Sequence, residues 1–195
     1  YFGSAGGIAR QNTCTGNTYH GIRVSEQAQP TLEANTCQQN KDTGITYRDS
    51  AGGTARQNTC TGNTKHGIYI GEQAQPTLEA NTCQQNEQSG ISYFGSAGGI
   101  ARQNTCTGNT KHGIYVTAQA QPTLEANTCQ QNKDTGIAYD GTAGGTARQN
   151  TCTGNMQHGI SVKVYTATLT LSSNDCTGNH GQQVYDQRKK WWKPW

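Results

Sequence analysis

The stretch PTLEANTCQQNKDTGITY at residues 30–47 recurs with small changes along the chain and alternates with a second version, ARQNTCTGNTYHGIRV at residues 9–24. Each copy is centred on one cysteine. The cysteines follow one another every 23 residues, except for a last interval of 24: Cys14, Cys37, Cys60, Cys83, Cys106, Cys129, Cys152 and Cys176. A fixed interval of this size is typical of a solenoid, in which each repeat forms one coil stacked on the next. The cysteines therefore predict eight coils.

Two asparagine columns accompany the cysteines. One Asn lies two residues before each cysteine and another lies three residues after it. In stacked strands an asparagine side chain can hydrogen-bond its counterparts above and below. Asn also tolerates left-handed backbone angles. We therefore expect the Asn residues to form the corners of each coil and to adopt those angles there.

Two apolar patterns predict strands. Ile lies eight residues after each of the first seven cysteines, and an apolar or aromatic residue follows two positions later, which is the period of a strand with one buried face. A second strand alternates Ala and Leu on its inward side, as at Ala9 and Leu32. The next residue alternates Arg and Glu, so opposite charges should face each other at the strand spacing of about 4.8 Å.

The motifs NxCxxN, GIxV and PxLExN are similar to the right-handed β-helix repeats of the pectate-lyase-like superfamily, including NosD-like and carbohydrate-binding/sugar-hydrolase repeats. This resemblance covers nearly the whole chain and implies three short parallel strands per coil. We therefore expect an all-β, right-handed parallel β-helix of eight 23-residue coils over residues 1–187, followed by a basic, Trp-rich tail or cap at residues 188–195. Such repeats occur in lyases, epimerases, adhesins and signalling appendages, so the motif does not specify a function.

The composition excludes several classes of protein. Hydrophobic residues make up only 31% of the chain, which a solenoid with a thin core tolerates, and charged residues only 14%, which is unlike a disordered chain. No apolar run approaches the roughly 20 residues of a transmembrane helix. Residues 1–187 carry 11 basic and 12 acidic residues, so no nucleic acid partner is expected. An extracellular or cell-surface location is favoured, but nothing in the sequence fixes the compartment.

Aromatic and basic residues are the candidate ligand-binding residues. The strand that begins at the Ile eight residues after each cysteine has tyrosines at some of its outward positions. Their flat rings could stack on sugars, although tyrosine also simply suits strands. Tryptophans and cations in the tail could contact a glycan, a membrane interface or a partner, or could cover the last coil. The candidates are Arg23, Tyr69, Tyr115, Tyr185, Trp191, Trp192 and Trp195.

A second candidate site is a column of carboxylates. Glu26, Asp49 and Glu72 each lie twelve residues after a cysteine in three consecutive coils. Stacked carboxylate oxygens could hold Ca²⁺, and solvated turn acids are the alternative interpretation. No other cofactor is expected. The histidines recur only every second coil, about 9.6 Å apart, which is too far for a shared zinc ion, so they are interpreted as turn residues.

A third face carries threonines. One precedes each of the first seven cysteines: Thr13, Thr36, Thr59, Thr82, Thr105, Thr128 and Thr151. The Thr-Cys-Thr motif of the odd coils resembles the threonine arrays of solenoid ice-binding proteins, although Gln38, Gln84 and Gln130 interrupt the second column. Threonine also suits an exposed strand. Ice binding is therefore a minor alternative function.

The cysteine column could consist of disulfides, of metal-binding thiolates or of a buried stack of thiols. Equivalent Cβ atoms one coil apart should be near 4.8 Å, beyond the roughly 3.5–4.5 Å that a disulfide prefers. Reduced, buried thiols that pack against one another are thus the preferred interpretation, and pairing after local distortion is the alternative.

The nearly constant length of the coils argues against catalysis. A lyase or epimerase of this superfamily needs a singular set of acids and bases, usually beside long loops, and coils close to 23 residues leave no room for such loops. We therefore expect a non-catalytic structural or binding solenoid, with polysaccharide or other copies of itself, bound through open coil ends, as partners. The alternative is a fragment of a carbohydrate-active enzyme of the polysaccharide lyase or epimerase type.

Overall fold

The first seven coils each contribute one short strand to each of three parallel sheets in the computed structural model, which describes residues 1–164 and 168–190; the last coil contributes strands to the first and third sheets. The first sheet contains Ile8–Arg10, Thr31–Glu33, Thr54–Arg56, Thr77–Glu79, Ile100–Arg102, Thr123–Glu125, Gly145–Arg148 and Leu169–Ser172. The second contains Thr13–Thr15, Thr36–Gln38, Thr59–Thr61, Thr82–Gln84, Thr105–Thr107, Thr128–Gln130 and Thr151–Thr153. The third contains Ile22–Val24, Ile45–Tyr47, Ile68–Ile70, Ile91–Tyr93, Ile114–Val116, Ile137–Gly141, Ile160–Val164 and Val184–Asp186. A short 3₁₀ helix, Gln187–Lys190, follows the last strand.

The register confirms the predicted all-β right-handed parallel β-helix of about eight coils. All strand pairs are parallel, and equivalent residues of consecutive coils face each other. Cys83, for example, lies between Cys60 and Cys106. The domain boundary at residue 187 stays a prediction. Among the described residues, no helix is long and apolar enough to cross a membrane.

The core is a thin column of inward side chains. Seven cysteines are buried and all eight are free thiols, as in the preferred interpretation of the cysteine column. The first sheet alternates Ala and Leu toward the core, so that Leu78 lies between Ala55 and Ala101. Outside, the neighbouring positions alternate Arg and Glu. Glu33 pairs with Arg10 at 2.7 Å and with Arg56 at 3.1 Å, and hydrogen bonds from these two guanidinium groups lower the pKa of Glu33.

The asparagine ladders are present, but one expectation about them was wrong. The Asn side chains point into the core, where those of coils two to seven are almost completely buried. The left-handed angles belong to the residue before each Asn, for example Ala80 with φ of 51° before Asn81. This preceding residue makes the corner, because the Asn must keep its amide directed inward to reach the next coil.

The glycine before each core Ile is required by close approach of the coils. A Cβ atom on Gly67 would lie 2.6 Å from the Gly90 carbonyl oxygen and 2.9 Å from the Cβ of Cys83. The backbone of the next coil occupies that space, so no other side chain fits without moving it.

Candidate functional site

The outward face of the third sheet alternates large and small residues over most of its length. In successive strands Tyr69, Ser92 and Tyr115 occupy equivalent positions. Ser92 points outward, yet it is only 3% exposed. The residues around it therefore form a groove with a small, covered floor and a tyrosine on each side, separated by two strand spacings of about 4.8 Å each.

The groove is shallow and open, and polar and aromatic side chains line it. Its lining consists of His66, Tyr69, Gln88, Ser89, Ser92, Phe94, Lys111, His112, Tyr115, Thr117 and Asp134. Phe94 is 51% exposed, which adds a third aromatic ring to the two tyrosines. The groove thus combines flat apolar surfaces with hydroxyl, amide and imidazole groups.

Tyr69 is held by neighbours on several sides. Gly71, two residues later, leaves room for the ring, since a Cβ atom there would lie 2.6 Å from Cε1 of Tyr69. The guanidinium carbon of Arg48 lies 5.1 Å from the ring centroid, and Arg48 also pairs with Glu72 at 3.0 Å. The His66 ring lies 5.8 Å away at a tilt of 30°. Tyr69 is therefore positioned before any ligand arrives.

Tyr115 belongs to a cluster with a histidine and an aspartate. The rings of His112 and Tyr115 are 5.0 Å apart, and Nδ1 of His112 lies 3.6 Å from Oδ1 of Asp134. Asp134 also accepts a hydrogen bond from the Thr135 hydroxyl. Burial lowers the pKa of His112 and so favours its uncharged imidazole, against the opposing effect of the Asp134 carboxylate.

The uncharged form of His66 is favoured for a similar reason. Burial lowers its pKa to about 4, and its Nδ1 accepts a hydrogen bond from the backbone N–H of Ser89 at 3.3 Å. An imidazole nitrogen that accepts a hydrogen bond cannot carry a proton at the same time. His66 therefore adds a polar group to the groove without a charge.

The structure separates the other predicted sugar-contacting residues from the groove. Arg23 lies in the first coil, with its guanidinium carbon 5.5 Å from the Phe2 ring centroid. Tyr185 lies in the last coil, stacked on His158 at 4.8 Å. Of the predicted residues that the structure describes, Tyr69 and Tyr115 line this groove. Trp191, Trp192 and Trp195 lie outside the described residues.

The predicted calcium-binding carboxylates take part in backbone hydrogen bonds. Glu26, Asp49 and Glu72 all have left-handed angles, with φ from 55° to 63°. Each accepts the N–H of the equivalent residue one coil earlier, as Asp49 does from Glu26 at 2.9 Å. In the part of the chain that is described, no group of three or more His, Cys, Asp or Glu side chains is arranged to hold a metal ion. Calcium binding stays a prediction without support from this geometry.

The threonine column predicted for ice binding runs across the second sheet, where each of these threonines is the first residue of its strand. Thr13 is exposed and the six that follow it are half-buried. One of the interrupting glutamines bonds to the second Thr column, since Nε2 of Gln130 donates to Oγ1 of Thr153 at 2.9 Å. Ice binding is not tested by this geometry.

The sequence reasoning missed the groove residues His112, Asp134, Lys111 and Phe94. A signal for the first was present, because the motif His-Gly-Ile-Tyr at 66–69 and 112–115 places a histidine three residues before each outward tyrosine. Within the described ranges, His112 is the one histidine that has both a tyrosine ring and an aspartate beside it.

Comparisons with known proteins agree with this architecture. Solved structures that share the fold include the A-modules of the Azotobacter vinelandii mannuronan C-5 epimerases AlgE4 (17% identity, TM-score 0.80, 92% of this chain and 56% of that one) and AlgE6 (15%, 0.76, 92% and 57%), and the periplasmic alginate epimerase AlgG (16%, 0.69, 90% and 50%). The chain thus spans about half the length of these proteins, and identities this low show the fold alone.

No curated protein matches the chain. The family model described as "Right handed beta helix region" matches residues 1–123 and 48–176, which together cover most of the sequence. The chain therefore belongs to the right-handed β-helix family.

Proposed function

We propose that this β-helix is a non-catalytic carbohydrate-binding protein that holds a polysaccharide chain in the groove between Tyr69 and Tyr115. The observation that carries the proposal is the position of these two rings on either side of the covered Ser92 floor. Aromatic faces are the groups on which sugar rings stack, and two of them in one groove can contact two sugars of one chain.

The polar lining supports the same ligand class. Gln88, Ser89 and Thr117 offer amide and hydroxyl groups that can hydrogen-bond to sugar hydroxyls. The rigid strands beneath the groove reduce the ordering that binding would require. The solved structures with this fold are named as epimerases of mannuronan and alginate, both polysaccharides, which fits a carbohydrate ligand here too.

A glycan array followed by calorimetry tests the proposal. We expect binding of an oligosaccharide that weakens at least about tenfold, or about 1.4 kcal/mol, when either Tyr69 or Tyr115 is replaced by Ala. Tyr19→Ala is the matched control, since Tyr19 is 73% exposed and lies outside the groove. An array without any bound glycan, or equal losses in all three variants, would contradict the proposal.

Catalysis on carbohydrate is the second candidate, and the cluster of His112, Tyr115 and Asp134 favours it. An imidazole, a phenol and a carboxylate within one groove are groups that can exchange protons with a sugar. Incubation of the protein with alginate in deuterated water, followed by NMR of the polymer, checks this candidate. Deuterium at a ring carbon that is lost in His112→Gln would establish catalysis and displace the binding proposal.

Association through the coil ends stays a further prediction. The strands Ile8–Arg10, Thr13–Thr15 and Ile22–Val24 each pair with another described strand on one side only. Such edges can pair with another chain. Sedimentation velocity over a concentration series would detect it, and a constant monomer would contradict it.

A further inference from the structure

The charges in and around the groove balance each other. Two charged residues line it, one of each sign: Lys111 and Asp134. On the side of Tyr69, the nearby charges are already in ion pairs, Arg48 with Glu72 at 3.0 Å and Lys65 with Asp42 at 2.8 Å. Lys163 and Asp140, whose charges also act on His112, add one charge of each sign, so the described side chains of this region supply four cations and four anions.

The histidines do not change this balance. Burial lowers the pKa of both His66 and His112, and the Ser89 N–H occupies the acceptor nitrogen of His66. Burial thus favours the uncharged form of both imidazoles, and the hydrogen bond from Ser89 does the same for His66. The groove has no excess positive charge that would attract a polyanion.

We infer that the groove takes an uncharged hexose chain rather than a polyuronate, an inference that rests on the carbohydrate-binding function proposed above. A polyuronate carries one carboxylate on every sugar. Several carboxylates along the groove would meet one lysine and one opposing aspartate, and the nearby arginine is already paired with Glu72. Neutral sugars need only the stacking surfaces and the hydroxyl and amide groups that the groove provides. This protein would thus bind an uncharged polysaccharide, whereas the proteins that share its fold are named as epimerases of mannuronan and alginate.

A paired set of oligosaccharides tests this inference. Mannohexaose and hexamannuronate have the same sugar ring and the same linkage, but each mannose carries a hydroxymethyl group where each mannuronate carries a carboxylate. Cellohexaose and hexagalacturonate add a second neutral chain and a second uronate. We expect a neutral hexamer to bind at least about tenfold more tightly than either uronate in calorimetry at low salt. Binding of the neutral chain should be unchanged at high salt, since no exposed charge pair contributes to it.

A charge variant gives a second, independent readout. Asp134→Asn leaves Lys111 without its opposing carboxylate and should raise the affinity for hexamannuronate several-fold, with a new dependence on salt. Glu79→Gln is the matched control, because it removes one negative charge from the first sheet, where Glu79 pairs with Arg102. Thermal unfolding of both variants shows whether the fold is intact.

The outcomes separate the two claims. Binding restricted to neutral chains, with uronate affinity gained in Asp134→Asn alone, supports the inference. Tighter binding of a uronate by the wild-type protein overturns the inference and leaves the carbohydrate-binding function standing. Failure of every hexamer and of the glycan array removes both.

Discussion

Replacing one asparagine inside a ladder should destabilise the protein far more than replacing one at its end. Asn81 makes four buried hydrogen bonds with its side chain. Its Oδ1 accepts the backbone N–H and the Nδ2 of Asn58, and its Nδ2 donates to the Ala55 carbonyl and to Oδ1 of Asn104. Asn58, Asn81 and Asn104 are all 0% exposed, so water cannot replace a lost partner.

The size of the effect follows from the groups left unpaired. In Asn81→Ala two buried N–H donors of Asn58 lose their acceptor, and each buried unsatisfied group costs about 1–3 kcal/mol. The free energy of unfolding should therefore fall by about 2–6 kcal/mol, before any contribution from the small cavity. A loss at the upper end is comparable to the whole stability of many domains.

Asn12 provides the control in the same ladder. It is exposed and donates its backbone N–H and its Nδ2 to Oδ1 of Asn35. Asn12→Ala keeps the hydrogen bond from the backbone N–H of residue 12 to Oδ1 of Asn35 and lets water reach that oxygen in place of the lost Nδ2. We therefore expect the free energy of unfolding to fall by about 0.5–1.5 kcal/mol. Urea unfolding gives the two values. Hydrogen exchange should be measured as well, because coils of a solenoid can open separately. Equal losses in Asn81→Ala and Asn12→Ala would refute the reasoning.

Three further predictions follow from individual contacts. Gly67→Ala should prevent folding or lower the free energy of unfolding by well over the roughly 1–3 kcal/mol of ordinary overpacking, because its Cβ would meet the backbone of the next coil. Gly6→Ala should be tolerated, because a Cβ there meets nothing within 4 Å. Equal melting temperatures of the two variants by circular dichroism would contradict this. His66 has a pKa of about 4 in the folded protein against an ordinary 6.5, so the stability from its neutral form is complete above pH 6.5 and declines as pH falls toward 4; a urea midpoint whose fall over this range is the same in His66→Gln would contradict that role. Gly71→Ala should displace the Tyr69 ring and weaken glycan binding with little change in melting temperature, whereas unchanged calorimetry would show that the ring position is unimportant.

Much of the fold could be predicted because each coil repeats the same short-range pattern. Cys83 and Asn81 recur at fixed positions in every coil, so their stacking follows from the period alone. The backbone angles of the Asn corners could not be predicted in the same way. Either Ala80 or Asn81 could make the corner, and Ala80 makes it because Asn81 must direct its side-chain amide into the core to reach Asn104.

The groove could be predicted only in part. The outward position of Tyr115 follows from strand alternation, but its neighbour Asp134 comes from the next coil and Phe94 from the one before. Whether these side chains meet depends on their rotamers. The covered state of Ser92 likewise depends on larger neighbours, which a list of outward residues does not show.

The alternation of Leu with Ala inside the first sheet, and of Glu with Arg outside it, restricts how this rod can change length during evolution. Removal of a single coil, such as the one that carries Glu79, would bring Arg56 against Arg102 and one alanine against another in the core. Removal of two coils restores both alternations. Residues 1–18 recur unchanged at residues 93–110, four coils later, which is an even number. Gene duplications and deletions in this family of coils should therefore survive in pairs, and the parity of the coil number becomes an inherited property of the protein.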